Sequence, residues 1–370
     1  MLDVKFKLIP GHTSEREWMA PSPLRTFFWN TTYACNFNCG ICFTGAGDPS
    51  SDELTTREAM DMFKNAHSAG VRKIIISGGE PFLRKDIVDI LAYMGELGLE
   101  ARIASNGSLL NEEILKRLHD ETLLKSFQIS IDTLDPDLYG KFHGVSPDRL
   151  KYVLKIMRVI KDLGFHTTVS TRLTPETLQG IPKLLDRASD EGWATVTVHF
   201  PLLTGRGDDT FPQDIDFITL LEPAFEHFLD LPKHWVIEMF IPWAQYHKTL
   251  KLLDEKIKVV YAGCRAGRDR FTINPCGDIS FCVCFDSPEF YLGNVRQDNL
   301  EDVFQNSRIC DMMRHPKEHG ICKGCPNLMT CGGGCRVAAY SITGRIDGQD
   351  EACPVYKQRT TGEDRTPEGI

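Results

Sequence analysis

The chain has 370 residues, 42% hydrophobic and 25% charged, an ordinary globular balance with enough length for one large domain and a smaller one. Its formal net charge of -9 argues against binding a nucleic-acid backbone, which needs clustered Lys and Arg. No apolar run reaches membrane-span length and residues 1–10 lack the basic-then-apolar order of an export signal, so a cytoplasmic location with no membrane partner is expected.

Residues 1–25, with Pro10, Pro21 and Pro23, read as an irregular lead-in. From Arg25 onward, buried strands are predicted at 26–32, 73–77, 101–105, 127–131, 166–172 and 195–200. Amphipathic helices are predicted between them at 56–69, 86–97, 112–118, 147–163 and 176–191. Such alternation implies an α/β fold with a parallel sheet, because parallel neighbours need helical crossovers; periodicity does not decide whether the sheet closes. The pattern changes near Pro201, with a polar break at 204–215 and helical character again at 216–260. From Cys264 the chain is loop-rich, with a hairpin over 272–284 turning at Pro275, Cys276, Gly277 and Asp278. The tail after Tyr356 is polar and is expected to be poorly ordered.

Thirteen cysteines, an odd count with no export signal and with two tight groups, point to metal rather than disulfides. Cys35, Cys39 and Cys42 lie in the loop after the first strand, the sheet edge where α/β barrels place their chemistry. Three soft thiolates so spaced can share one iron-sulfur cluster and leave one iron without a protein ligand. A zinc site completed by a distant His, or buried structural thiols, fits the spacing too.

With this C-x3-C-x2-C loop the chain resembles the radical S-adenosylmethionine (SAM) superfamily, and the resemblance covers nearly the whole chain. It implies a partial (β/α)6 TIM-like barrel in which the open iron chelates SAM; an electron from the cluster then cleaves SAM to a 5'-deoxyadenosyl radical that takes a hydrogen atom from substrate. Ile41 stands where many members carry an aromatic, and only its backbone is expected to touch adenine. Ser77, Gly78, Gly79, Glu80 and Pro81 end the second strand, where glycines permit close backbone approach and a carboxylate can accept from an ammonium. They match the family element that holds the SAM amino group. Ser105, Asn106, Ser130, Asp132 and Arg172 sit at further strand ends. Each alone fits a cap or a salt bridge; the resemblance implies that the Ser130 region faces the ribose or carboxylate and that Arg172 pairs with the carboxylate through its planar fork.

Cys322, Cys325, Cys331, Cys335 and Cys353 form the second group, with Gly332, Gly333 and Gly334 where the backbone must fold tightly, and Cys264 and Cys282 frame the upstream hairpin. Structural zinc remains open on spacing alone. The pattern resembles the SPASM extension of peptide and cofactor maturases, which implies two auxiliary iron-sulfur clusters besides the SAM-binding 4Fe-4S centre. By that resemblance Cys264, Cys282 and Cys335 hold the nearer cluster, and Cys322, Cys325, Cys331 and Cys353 the farther one. Cys276 and Cys284 flank Cys282 and are candidates to complete the nearer cluster, Cys284 being counted among the ligands. Cys276 and Cys310 are then candidate hydrogen-atom donors, as in radical epimerases. The resulting division is a lead-in (1–25), a radical SAM barrel (26–215), a helical bridge (216–260), a SPASM domain (261–356) and a tail (357–370).

The resemblance implies an oxidoreductase that modifies a peptide or a peptide-derived cofactor natural product. The alternative is a small-molecule dehydrogenase, decarboxylase or epimerase acting on an aminoglycoside or tetrapyrrole. It also implies an electron donor such as a flavodoxin or ferredoxin. Only 34 residues precede Cys35, where many leader-dependent members carry a recognition domain, so the expectation is that a peptide needs a separate carrier protein or that the substrate is small. Val283 replaces the acid that follows the Cys282 equivalent in sulfatase-maturing members, which disfavours that reaction. The stretch 335–344 is similar to those of cofactor-peptide and haem-pathway members. His143, His199 and Asp208 are candidates for proton transfer, with His199 carried as a catalytic candidate. A zinc scaffold and a polar methyltransferase are the competing classes; the latter would need a glycine-rich Rossmann loop that is missing here.

Overall fold

The computed structural model describes residues 5–8, 24–199, 204–207, 236–240, 258–260, 264–315, 328, 333–348 and 350, with backbone only at 5–8, 236–240, 258–260 and 342. Among the described residues twelve strands make one sheet: β1 (Lys5–Leu8), β2 (Thr26–Asn30), β3 (Lys73–Ser77), β4 (Glu100–Ser105), β5 (Leu124–Ser130), β6 (His166–Arg172), β7 (Thr195–His199), β8 (Val236–Phe240), β9 (Lys258–Val260), β10 (Arg270–Ile273), β11 (Asp278–Ser280) and β12 (Tyr291–Asn294). Their order is β12-β11-β10-β2-β3-β4-β5-β6-β7-β8-β1-β9. Neighbours from β10 to β9 are parallel, and β10, β11 and β12 form an antiparallel meander on that edge.

The six strands β2 to β7 fall where alternation predicts them, each crossing over to the next through helix. The helices are α1 (Thr56–Ser68), α2 (Ile87–Glu96), α3 (Glu112–Glu121), α4 (Pro136–His143), α5 (Asp148–Asp162), α6 (Pro175–Leu178) and α7 (Ile181–Glu191), followed by α8 (Leu300–Asn306), α9 (Arg308–Arg314) and α10 (Arg336–Thr343). The predicted helix at 176–191 is two, because Gly180 and Pro182 interrupt it: Gly180 is the N-cap of α7 and Pro182, its second residue, has no N–H to continue the preceding turn. Helix α4 was outside the periodic reading; Asp135 caps it by accepting from Leu138 N, Pro136 opens it and Gly144 ends it at φ 63°.

Two expectations fail. The lead-in contains β1, and the stretch read as helical contains β8 and β9, with Lys7 opposite both Glu238 and Val260. Short strands so far apart in sequence carry little periodic signal; their pairing is tertiary. The predicted hairpin is present as β10 and β11, and Gly277 turns it at φ 87°.

Hydrophobic packing is continuous from barrel to hairpin. Trp29 meets Phe63 edge to face at 5.3 Å, and Phe271 meets Phe304 likewise at 5.1 Å, all four fully buried within one core. The register Thr26↔Arg270 through Trp29↔Ile273 makes the cysteine-rich hairpin an extension of the barrel sheet. Among the described residues no helix is long and apolar enough to cross a membrane.

Candidate active site

The loop after β2 carries Cys35, Cys39 and Cys42, all partly buried, and remote backbone holds it in shape. Cys35 N donates to Gly47 O and Gly47 N to Tyr33 O, both at 2.9 Å, closing the loop on itself. Asn38 N and Gly40 N donate to the last carbonyls of α4, His143 O at 3.0 Å and Phe142 O at 3.3 Å, so each end satisfies the other. Arg206, in the short turn after β7, donates from N to Cys42 O (2.9 Å), from Nε to Cys39 O (2.8 Å) and from Nη1 to Ala46 O (2.6 Å). The segment read as a polar break is therefore a clamp on the cysteine loop. Gly205, at φ 64°, is required there because a Cβ would run into Cys42 O.

The three thiols are mutual neighbours and differ in environment. Burial pushes Cys35 up and Cys39 up to about 12, with Arg172 partly opposing the rise at Cys39. Cys42 is lowered, since Thr44, the Ala46 backbone and Arg172 together outweigh its burial. Cys39 Sγ lies 3.2 Å from His143 Nδ1. His143 Nε2 is 3.3 Å from Asp132 Oδ2 but out of line for a hydrogen bond. Burial lowers His143 despite Asp132, so the imidazole is neutral and its Nδ1 can face a thiol.

The Ser77-to-Pro81 element is built against this loop. Gly79 N donates to Thr32 O and Glu80 N to Ala34 O, both at 2.8 Å. A Cβ on Gly78 would sit 2.8 Å from Thr32 O, and one on Gly79 would overlap Ala34 O. The close approach these glycines permit is thus to the chain's own cysteine loop, where sequence reasoning expected a ligand. Glu80 is fully buried; its Oε1 accepts from Ser105 Oγ and its Oε2 from Asn106 N, both at 2.8 Å. Burial pushes it up to about 7 against those bonds. Asn106 Nδ2 donates to Asn36 Oδ1 at 3.0 Å, tying the end of β4 back to the loop.

On the other flank Asp132 Oδ1 accepts from Arg172 N (2.6 Å), and Arg172 Nη1 donates to Ile41 O (2.6 Å) while its guanidinium covers Phe43 at 5.5 Å. Ser130 ends β5 opposite Ser170. His199 ends β7 opposite Arg172, its Nε2 3.4 Å from Gln128 Nε2, and burial pushes it down to about 3. The sequence-predicted residues Ile41, Gly78, Gly79, Glu80, Ser105, Asn106, Asp132 and Arg172 thus lie round one sheet edge with the three thiols.

A second group of thiols gathers at the hairpin. Cys264, Cys282 and Cys335 influence one another electrostatically, and Cys284 bonds Cys282. That bond and burial raise Cys282 well above its ordinary value, while burial pushes Cys335 up to about 12 and raises Cys264. Asp350 Oδ2 accepts from Cys335 N at 2.8 Å, fixing the start of α10. Cys276 turns away, its Sγ 3.6 Å from Ser50 Oγ, and Cys310 is fully buried in α9 beside Gly267. Neither joins either group of thiols. Cys322, Cys325, Cys331, Cys353 and Asp208 lie outside the described residues. Among the described residues no set of three His, Cys, Asp or Glu side chains is arranged to hold a metal ion; what both groups offer is the soft sulfur donors that an iron-sulfur cluster takes, with Cys35, Cys39, Cys264, Cys282 and Cys335 raised so that iron would have to replace their protons.

Sequence reasoning missed Arg206, Asn36 and the thiol-facing role of His143. The signal for Arg206 is its place between Gly205 and Gly207 directly beyond the last barrel strand.

Comparison with known proteins follows the same division. A model of the radical SAM superfamily matches residues 29–188, and one of the SPASM iron-sulfur cluster-binding domain matches 264–326. The AdoMet-dependent heme synthase of Methanosarcina barkeri is 28% identical over 348 residues, covering 90% of this chain and 97% of that protein. Mycofactocin maturase MftC of Mycobacterium tuberculosis is 26% identical over 330 residues, covering 88% and 81%. In fold, Streptococcus suis SuiB bound to the precursor peptide SuiA superposes with a TM-score of 0.74 at 21% identity, covering 91% of this chain and 77% of that one. Each group of thiols has a member inside one of the two matched regions, and the chain belongs to the radical SAM superfamily with a C-terminal SPASM domain, taking SAM and iron-sulfur clusters as cofactors.

Proposed function

We propose that this enzyme is an oxidoreductase that modifies a peptide or a peptide-derived cofactor natural product, with Cys35, Cys39 and Cys42 holding the SAM-binding cluster. Cys264, Cys282, Cys284 and Cys335 would hold the nearer auxiliary cluster, and Cys322, Cys325, Cys331 and Cys353 the farther one. When bound, the 4Fe-4S centre supplies the electron that splits SAM and yields the 5'-deoxyadenosyl radical.

The chain's own residues bind and orient. Glu80, gripped by Ser105 and Asn106, is set to accept from the SAM amino group, and Ser130 and Arg172 are candidates for its ribose or carboxylate. Arg172 and Arg206 fix the loop carbonyls of Ile41, Cys39 and Ala46, so the thiols keep their spacing. His199 stays neutral near pH 7 and would orient substrate through Gln128 rather than take its proton. The reading of net oxidation rests on the second thiol group: the adenosyl radical removes one hydrogen atom, and the substrate radical must still lose an electron and a proton. Cys264, Cys282 and Cys284 flank strands of the same sheet, which supports a cluster there as the place for that electron. A cytoplasmic location, a flavodoxin or ferredoxin as donor and a separate carrier for a peptide substrate accord with this reading.

A tetrapyrrole substrate is the second reading, favoured by the heme synthase relative matched over 97% of its length. The test is anaerobic reconstitution followed by SAM and dithionite, reading deoxyadenosine with a peptide encoded beside this chain or with an iron-porphyrin carboxylate. Stimulation by the peptide supports the first reading and stimulation by the porphyrin the second; colourless protein that forms no deoxyadenosine overturns both.

A further inference from the structure

Two arginines act electrostatically on the hairpin thiol Cys264, and each has a buried nitrogen that makes no hydrogen bond. Arg336 follows Cys335 in α10 and is 8% exposed. Its Nη1 donates to Gly348 O at 3.0 Å and Ile346 O at 3.4 Å, but its Nε and Nη2 are buried and have no acceptor among the described residues. Arg270 opens β10, and the antiparallel register Thr272↔Ser280, continued two residues, sets it opposite Cys282. Its guanidinium covers Phe28 at 5.8 Å, and its Nε is buried without a hydrogen bond, 3.6 Å from Asp269 Oδ1. Both cations influence Cys264. A buried donor with no acceptor costs about 1–3 kcal/mol, so these groups await one. Arg336 adjoins Cys335 in the chain and Arg270 stands in register with Cys282, and a bound cluster would turn those sulfurs into charged acceptors.

We infer that Arg270 and Arg336 donate to the sulfurs of the nearer auxiliary cluster and raise its reduction potential, making that centre the electron acceptor of the enzyme. The inference rests on the assignment of Cys264, Cys282, Cys284 and Cys335 to that cluster. Reduction adds one negative charge to the centre, and fixed cations in a low-dielectric interior stabilise the more negative state. Arginine suits this because its charge is permanent and its donors form a fixed fork. At the first site Arg172 and Arg206 also act electrostatically on the thiols, but their donors are taken up by the loop, Arg172 donating to Ile41 O and Arg206 to Cys39 O and Ala46 O.

The experiment is a redox titration by electron paramagnetic resonance, with iron counts, on anaerobically reconstituted full-length Arg270→Gln and Arg336→Gln and the matching lysine variants. Expected is full iron and a lower midpoint for one auxiliary centre. At fixed potential the shift amounts to about tenfold in its reduced-to-oxidised ratio, roughly 59 mV for one electron. The SAM-binding centre should not move, and lysine should restore part of the shift. Unmoved midpoints with full iron in both glutamine variants overturn the inference. If both glutamine variants lose that centre, retention in the lysine variants supports it and loss from all four overturns it. Cys264→Ala is the separate control: if it keeps all its iron, the ligand assignment fails, whatever the arginines do.

Discussion

The two thiol sites of this chain are built from opposite materials. Cys35, Cys39 and Cys42 sit on one loop, and backbone carbonyls, glycines and two arginines that serve those carbonyls define its shape. The hairpin thiols come from separated segments, 264, 282–284 and 335, and are set by a β-register and a helix start. On the proposed assignment, the first arrangement would leave one face of a cluster to SAM, and the second would enclose its centre with four thiols, Arg270 and Arg336 acting electrostatically on Cys264 among them. The contrast between a donor site and an acceptor site therefore begins in which backbone holds the sulfurs.

Removing a ligand on either side is the largest disturbance. Cys39→Ala should abolish deoxyadenosine formation and remove about four irons per chain. Cys284→Ser should lower iron at the hairpin while SAM cleavage without substrate persists, and Cys276→Ser should leave iron unchanged; iron assays on the three variants separate the sites. Equal loss from Cys276→Ser and Cys284→Ser would undo the choice of fourth ligand. Next comes the clamp: Arg206→Ala keeps its backbone bond to Cys42 O but frees two loop carbonyls, Cys39 O and Ala46 O, and at about 1–3 kcal/mol for such buried groups the SAM-cleavage rate should fall about tenfold. An unchanged rate would mean that the loop keeps its shape alone.

Glu80 gives a pH signature confined to the first site. Its carboxyl is pushed up to about 7, so it is largely protonated below that pH and ionised above. If it accepts from the SAM ammonium, binding favours the ionised form. Affinity should then weaken toward tenfold per pH unit as pH falls below about 7 and level off above it. Glu80→Gln should flatten that slope. Calorimetric titration of SAM into the reconstituted enzyme between pH 5.5 and 8.5 reads both, and an equal slope in the variant rules out Glu80 as the titrating group.

Most of the barrel was legible because its strands alternate within a few residues: Ile74 and Ile76 face the core while Lys73, Ile75 and Ser77 do not. The thiol loops were legible because chelation requires short spacing. What lay beyond the sequence depends on partners remote in the chain. Lys5 to Leu8 become a strand only beside residues 236–240 and 258–260. The demand for glycine at Gly79 comes from Ala34, and Arg206 matters only because the turn after β7 folds over the cysteine loop. The choice between Cys276 and Cys284 was open in sequence since both flank Cys282; the hairpin turn aims Cys276 at Ser50.

The smallest expected effect probes the seam between the two sites. Tyr33, two residues before Cys35, donates to Asp286 Oδ2 at 2.8 Å, and Asp286 Oδ1 accepts from Tyr291 OH at 2.8 Å and Asn274 Nδ2 at 2.9 Å. Beside it Arg296 donates to Glu58 Oε1 (2.7 Å), Asp52 O (2.9 Å) and Cys276 O (2.7 Å), stitching the hairpin to the barrel. Tyr33→Phe removes one bond and leaves Asp286 its other partners, so it should cost about 1 kcal/mol, or roughly 2 °C in melting temperature. Arg296→Met removes these and a longer bond to Asp52 Oδ2 (3.4 Å), four in all, and should cost more. If the seam only joins the domains, both variants shift melting and leave the two cluster potentials alone. If it also sets the distance between donor and acceptor sites, product formed per deoxyadenosine falls with the melting temperature, and the sites are coupled through Tyr33 and Arg296 as well as through the shared sheet.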